Sequence, residues 1–301
     1  MLTFFTPNGE RFIESTAPEK EKVLVVTSHS LTHEDANLLV ERFDLDEHAL
    51  SNVFDKNELP HVETIGKTQY IFLRNFSFTG GKSRSNPILF IVKDSFFACI
   101  SAAAISTSDV VDVGILGKTP ELLQRSVMSI ITKYEQSIDA IGAIIQSVER
   151  RMWSHEATNQ DFFEFVSIEG ALSRARVGLS GIISVVEKLI DTPRTKTSAS
   201  DLVDNVLYAR ELVVEIDSHV QTIKSIREAY STVANNTLNS RMKLLTVLTL
   251  FLAIPNVFFG MYGMNINLPF MHEVWAYPVV LGGSILAIFL VYFIARARKI
   301  F

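Results

Sequence analysis

"NSRMKLLTVLTLFLAIPNVFFGMYGMN" (239–265) decides the architecture of this chain. From Leu244 to Tyr262 it holds 19 residues and no charge. That is about 28 Å of helix at ~1.5 Å per residue, close to the hydrocarbon thickness of a bilayer. A second uncharged run of 19 residues spans Tyr277 to Ala295. Core helices of soluble proteins are amphipathic, whereas these runs are apolar on every side, so the reading is two membrane spans. Arg241 and Lys243 precede the first span, and Arg296, Arg298 and Lys299 follow the second. The linker "GMNINLPFMHEVWA" (263–276) carries neither lysine nor arginine. The positive-inside rule then puts both termini in the cytoplasm and the linker outside. Tyr262, Trp275 and Tyr277 stand where interfacial aromatics belong.

Outward from the spans the composition changes. The chain has 301 residues and a formal net charge of -5, and Glu273 is the only acid after Arg241. An acidic body and an apolar tail result, and no concentrated basic face speaks for nucleic acid. The single cysteine, Cys99 in "FFACI" (96–100), cannot form an internal disulfide and reads as a buried thiol in a reducing compartment. "MLTFFTPNGERF" (1–12) lacks a basic n-region followed by an apolar core, so no secretory signal is expected. "GGKS" (80–83) invites a phosphate-loop reading, but that motif needs glycine at position 76 and finds Phe76. A hairpin turn is expected there, and no nucleotide. His29 and His33 lie at the entry to a helix with no His/Cys cluster around them. No nucleophile–base pair stands out, so an enzyme is not expected.

The first 115 or so residues read as mixed α/β. "KVLVVT" (22–27), "TQYIFLRNFSF" (68–78), "PILFIVK" (87–93) and "SFFACIS" (95–101) are β-branched and aromatic with turn signals between them. "THEDANLLVERF" (32–43) predicts a helix with Thr32 as N-cap and Asp35 at N3. From Pro120 the pattern turns helical, in two long segments ended by Pro193. A third follows, in which Leu202, Val206, Ala209, Val213, Ile216, Val220 and Ile223 form a stripe at spacings of three and four. No glycine or proline interrupts 201–254, so one helix is predicted to run from there into the first span. The domains expected are 1–115 (α/β), 116–240 (helical hairpin and stalk) and 241–301 (membrane). The last divides into a first span of about 244–262, a loop 263–276, a second span of about 277–295 and a basic tail 296–301.

At "YGMN" (262–265) the chain resembles the CorA magnesium transporters, whose Gly-Met-Asn signature closes a first span in this way. The resemblance extends over 239–265, "YPVV" (277–280), the basic tail "RARKIF" (296–301) and "LPHVETIGKTQYIFLRNF" (59–76). It implies a homopentamer with first spans around a pore, second spans outside them and stalk helices widening into a funnel. It also implies passive uptake of Mg2+ at a plasma (inner) membrane, with Co2+ or Ni2+ often accepted. Gly263, Met264 and Asn265 would be the selectivity filter. Mg2+ gives up its water reluctantly, so neutral amide carbonyls that hydrogen-bond those waters suit a filter better than carboxylates. Gly263 would permit a tight turn, and reads equally as a helix C-cap.

If Asn265 faces the axis, spacings of three and four give a wall of Gly260, Asn256, Ala253, Thr249, Leu245, Met242 and Asn239. Ala253 stands where many relatives place a bulky methionine, which leaves Leu245 as the expected hydrophobic gate. Pro255 is expected to bend the helix. In the family, cytoplasmic Mg2+ closes the channel by bridging acids of neighbouring subunits. Asp204 matches the stalk acid and Glu228 a second one. The partner Leu-Glu-Asp sequence reads Leu50-Ser51-Asn52 here, so a weaker clamp is expected at Asn52, or one shifted to Asp55 or Glu58. Arg296, Arg298 and Lys299 would ring the inner mouth. The alternatives are a transporter of Co2+, Ni2+ or Zn2+ on the same fold, and a tail-anchored scaffold or signalling protein with a coiled stalk. Met264 speaks against dedicated zinc transport, because zinc-transporting relatives often vary that position.

Overall fold

The computed structural model describes residues 1–8, 11–15, 25–93, 96–103, 107, 110–111, 118–154, 159–192, 199–263 and 272–297. Of these, Asn159, Ala199 and Tyr262 are described in their backbone alone. Two compact units divide the chain, Met1–Lys224 and Ser225–Phe301.

In the first unit, strand-forming sequences pair into one sheet. Its strands are β1 (Leu2–Asn8), β2 (Arg11–Ser15), β3 (Val25–Ser28), β4 (His61–Ile65), β5 (Thr68–Thr79), β6 (Lys82–Lys93) and β7 (Phe96–Ile100). Their order is β2-β1-β3-β7-β6-β5-β4. β3 and β7 run parallel and the other neighbours antiparallel. The expected strands at 68–78, 87–93 and 95–101 are β5, β6 and β7. The "GGKS" stretch is the β5–β6 hairpin, where Gly80 and Gly81 have φ of 59° and 76°. Two successive positive φ values favour glycine, and they are what a two-residue hairpin loop of this kind requires.

Helix α1 (His33–Phe43) begins as its sequence predicts. Thr32 Oγ1 accepts from the Asp35 backbone N–H (3.1 Å), and the Asp35 carboxylate accepts from that of Thr32 (3.2 Å), a reciprocal capping box. With α2 (Glu47–Ser51) and the 3-10 turn Asn52–Phe54, it buries Leu39, Phe43, Leu50 and Val53 against Tyr70, Phe72, Leu89 and Ile91 of the sheet.

Helices α3 (Thr119–Trp153) and α4 (Asn159–Ile190) also pack on β5. α5 (Ala199–Tyr262) is one helix of 64 residues, as the unbroken sequence predicts. Of its predicted stripe, Leu202, Val206, Ala209, Ile216 and Ile223 are buried, Val213 is half-buried and Val220 is exposed. Gln124 meets Asn205 and Gly142 meets His219, so α3 and α5 run parallel. Ion pairs Arg176–Asp217 and Arg210–Glu187 fix α4 antiparallel to α5.

The second unit holds the rest of α5 and helix α6 (Ala276–Ala297). Both helices are long and apolar enough to cross a membrane, with only 6% and 11% of their apolar windows buried. A soluble core helix would be mostly buried, so the exposure favours spans.

Candidate functional site

Seven residues predicted to form one wall lie on α5, and each of them is exposed: Asn239, Met242, Leu245, Thr249, Ala253, Asn256 and Gly260. Over the same stretch Val247 is buried, and Phe251, Ile254 and Phe258 are half-buried. At ~100° per residue the two sets centre about 160° apart around the helix. The candidate wall therefore points away from the side that the chain itself covers.

Polar groups on that side differ in how they are satisfied. The Thr249 hydroxyl donates to Leu245 O (2.8 Å), and the flanking Thr246 hydroxyl to Met242 O (2.9 Å). The Asn256 side chain has no hydrogen bond among the described residues, although it lies in the middle of an apolar helix. Pro255 beside it carries no N–H, which leaves the Phe251 carbonyl without its usual donor.

At the C-terminal end of α5, the Gly263 N–H donates to Phe259 O (3.0 Å), one last helical bond. A Cβ at Gly263 would come within 3.3 Å of that carbonyl oxygen, so close approach rather than left-handed backbone favours glycine. Met264 and Asn265, the rest of the expected filter, lie outside the described residues, as do Arg298 and Lys299. Arg296 closes α6 and donates to the Tyr292 hydroxyl (3.4 Å).

The expected regulatory residues are spread over both units. Asp204 is exposed on α5 and lines an open cavity of ≈ 360 Å³ with Gln124, Met128, Asp201, Asn205 and Tyr208. Asn205 is 2% exposed and held by Gln124 O (3.0 Å). A hydrogen bond to Glu135, then burial, then the charges of Glu135, Asp139 and Glu211 push the Tyr208 phenol up to about 12. Asp201, Tyr208 and Glu211 were legible in the sequence as further members of Asp204's stripe, at spacings of three and four. Gln124 on α3 carries no such signal.

Glu228 is exposed on α5 beyond the first unit. Asn52 caps α2, its backbone N–H donating to His48 O and Leu50 O, and its amide makes no hydrogen bond among the described residues. Asp55 follows the 3-10 turn and accepts from the Asn57 N–H (2.8 Å). No group of three acids, histidines or cysteines that could hold a metal comes together among the described residues. His33, the first residue of α1, stacks on Phe54 (3.9 Å) instead.

Comparison with known proteins gives a consistent picture. The family described as CorA-like Mg2+ transporter protein matches residues 23–296. No curated protein sequence matches the chain significantly. Among solved structures, the chain is similar to the CorA magnesium transporter from Methanocaldococcus jannaschii at 16% identity and TM-score 0.87, over 98% of this chain and 97% of that one. It is similar to the full-length CmaX protein at 15% identity and TM-score 0.77, again over 98% and 97%. The cytoplasmic domain of ZntB from Vibrio parahaemolyticus matches 78% of this chain and 98% of its own, at 7% identity and TM-score 0.64. At these identities the likeness is one of fold.

Proposed function

The chain belongs to the CorA-like Mg2+ transporter family, and on that premise we propose that its copies form a homopentameric pore for hydrated Mg2+. The reading is carried by Asn256, an exposed mid-span amide that makes no hydrogen bond among the described residues, on the face it shares with the other six wall residues. Facing lipid, that amide would be costly; facing a water-filled axis, it is solvated. First spans surround the axis and second spans lie outside them, in the plasma (inner) membrane with both termini cytoplasmic.

At the outer mouth, the filter of Gly263, Met264 and Asn265 presents amide oxygens that accept hydrogen bonds from the ion's waters. No carboxylate competes for the metal itself, so the hydrated ion can leave as readily as it enters. Leu245 is the apolar constriction, closing by dewetting, and Ala253 leaves the wall open above it. Arg296, Arg298 and Lys299 form a basic ring at the inner mouth. The membrane potential supplies about 2.3 kcal/mol per charge for each ~100 mV, and about twice that for a dication.

Cytoplasmic Mg2+ limits the flux by bridging Asp204 of one copy to the Asn52–Glu58 segment of the next, with Glu228 as a second acidic position. Ser51 and Asn52 contribute no charge, so Asp55 and Glu58 carry the clamp and inhibition is weak.

Uptake in a cell deficient in Mg2+ import tests the pore. Wild-type chain restores growth at low Mg2+, and Asn265→Ala abolishes the restoration. Equal growth with both variants removes the filter, and no rescue by wild type together with liposomes impermeable to Mg2+ leaves the tail-anchored scaffold reading. Parallel assays with Co2+, Ni2+ and Zn2+ rank the cargo.

A further inference from the structure

The segment between the 3-10 turn and β4, residues 55–60, has no regular secondary structure and makes few backbone bonds of its own. Asp55 N–H donates to Asn52 O and Glu58 N–H to Asp55 O, both at 3.1 Å. What holds it is one arginine of the sheet. Arg74 Nη1 donates to Glu58 O (2.7 Å) and Nη2 to Lys56 O (3.0 Å). The same guanidinium reaches β6, with Nη2 donating to Ser85 O (2.9 Å) and Nε to Ser85 Oγ (3.0 Å). Four donated bonds in one plane tie an irregular segment to two strands, which a single ammonium could not do.

The backbone of Arg74 is tied as well. Its strand partner is Pro87, which has no N–H to give. The Arg74 carbonyl accepts from the Tyr134 hydroxyl (3.0 Å), a side chain of α3 with no exposed surface that stacks on Phe76 at 5.3 Å. Glycine at 178 on α4 makes room, because a Cβ there would collide with the Tyr134 hydroxyl. Gly181 of α4 does the same for Pro60 at the far end of the segment. The 55–60 segment is thus fixed to β5, β6, α3 and α4 together.

We propose that Arg74 is the positioning residue of the inhibitory cation site, holding Asp55 and Glu58 as a rigid half-site. This rests on the regulatory reading above. Neither carboxylate is held to another element among the described residues: that of Asp55 accepts from the nearby Asn57 N–H, and that of Glu58 lies 3.3 Å from His61 Nδ1. A cation that demands tight geometry binds such a half-site in proportion to the time its acids spend correctly placed. Arg74 raises that fraction without touching the ion.

Uptake into vesicles containing the full chain, measured against internal Mg2+, tests this. Arg74→Gln moves half-inhibition to about tenfold higher Mg2+, and Arg74→Lys to about threefold, while initial uptake at low internal Mg2+ stays within about twofold of wild type. On top of Asp55→Asn with Glu58→Gln, the Arg74→Lys change adds no further shift, as required of a residue that acts through those acids. Asp204→Ala is the reference. If it shifts the curve and Arg74→Lys does not, the positioning role falls alone. If neither shifts it, the clamp falls and the role with it. Should Arg74→Gln fail to fold, Arg74→Lys and the combined variant still decide the question.

Discussion

Leu245 shows what a single side chain does in this chain. It is 63% exposed on α5, in a helix whose covered side is Val247, Phe251, Ile254 and Phe258. Most of that surface is left open by the described residues, so truncation should leave folding nearly untouched. Leu245→Ala is expected to raise Mg2+ leak through the resting pore severalfold, because a wider ring no longer dewets. Flux from preloaded liposomes under inhibitory Mg2+ reads this out, and an unchanged leak relocates the gate. Asn256 lies three turns further along the same face, and its amide makes no hydrogen bond among the described residues.

At the scale of elements, two kinds of contact hold α4 and α5 together, and magnitudes separate them. The ion pairs Arg176–Asp217 (3.0 Å) and Arg210–Glu187 (2.6 Å) join side chains about half exposed, so each contributes well under ~1 kcal/mol. Ile216, fully buried on the same helix, sits in the core stripe. Ile216→Ala should therefore cost about 2–5 kcal/mol of unfolding free energy, and Arg176→Ala less than ~1. Denaturant unfolding of the solubilised chain, followed by helical signal, checks the ratio; equal effects would mean that the pairs set more than register.

For the whole molecule, one thiol makes accessibility measurable. Cys99 lies in β7 with no exposed surface, and burial pushes its thiol well above the usual range. The folded chain should resist a water-soluble maleimide, since the reactive species is the thiolate. Asn256→Cys should become labelled and lose uptake, whereas Leu286→Cys, 70% exposed on α6, the span that the proposed pore places outside the first, should stay unlabelled. Mass spectrometry of the intact chain distinguishes them, and labelling of Leu286→Cys but not of Asn256→Cys would reverse the assignment of faces.

Read alone, the sequence determined the features that depend on neighbours along the chain. An uncharged run of bilayer length, a stripe at spacings of three and four, Thr32 three residues before Asp35 and two glycines between strands each carry their structural meaning locally. The strands β1, β2 and β4 did not stand out, being interrupted by Pro7, Asn8 or charge. Tertiary structure alone decided what converges through space. Tyr134 meets the carbonyl of Arg74 across 60 positions, and Asn205 meets Gln124 across 81. No periodicity records such pairs, because their partners are chosen by how the sheet and helices pack and not by spacing along the chain.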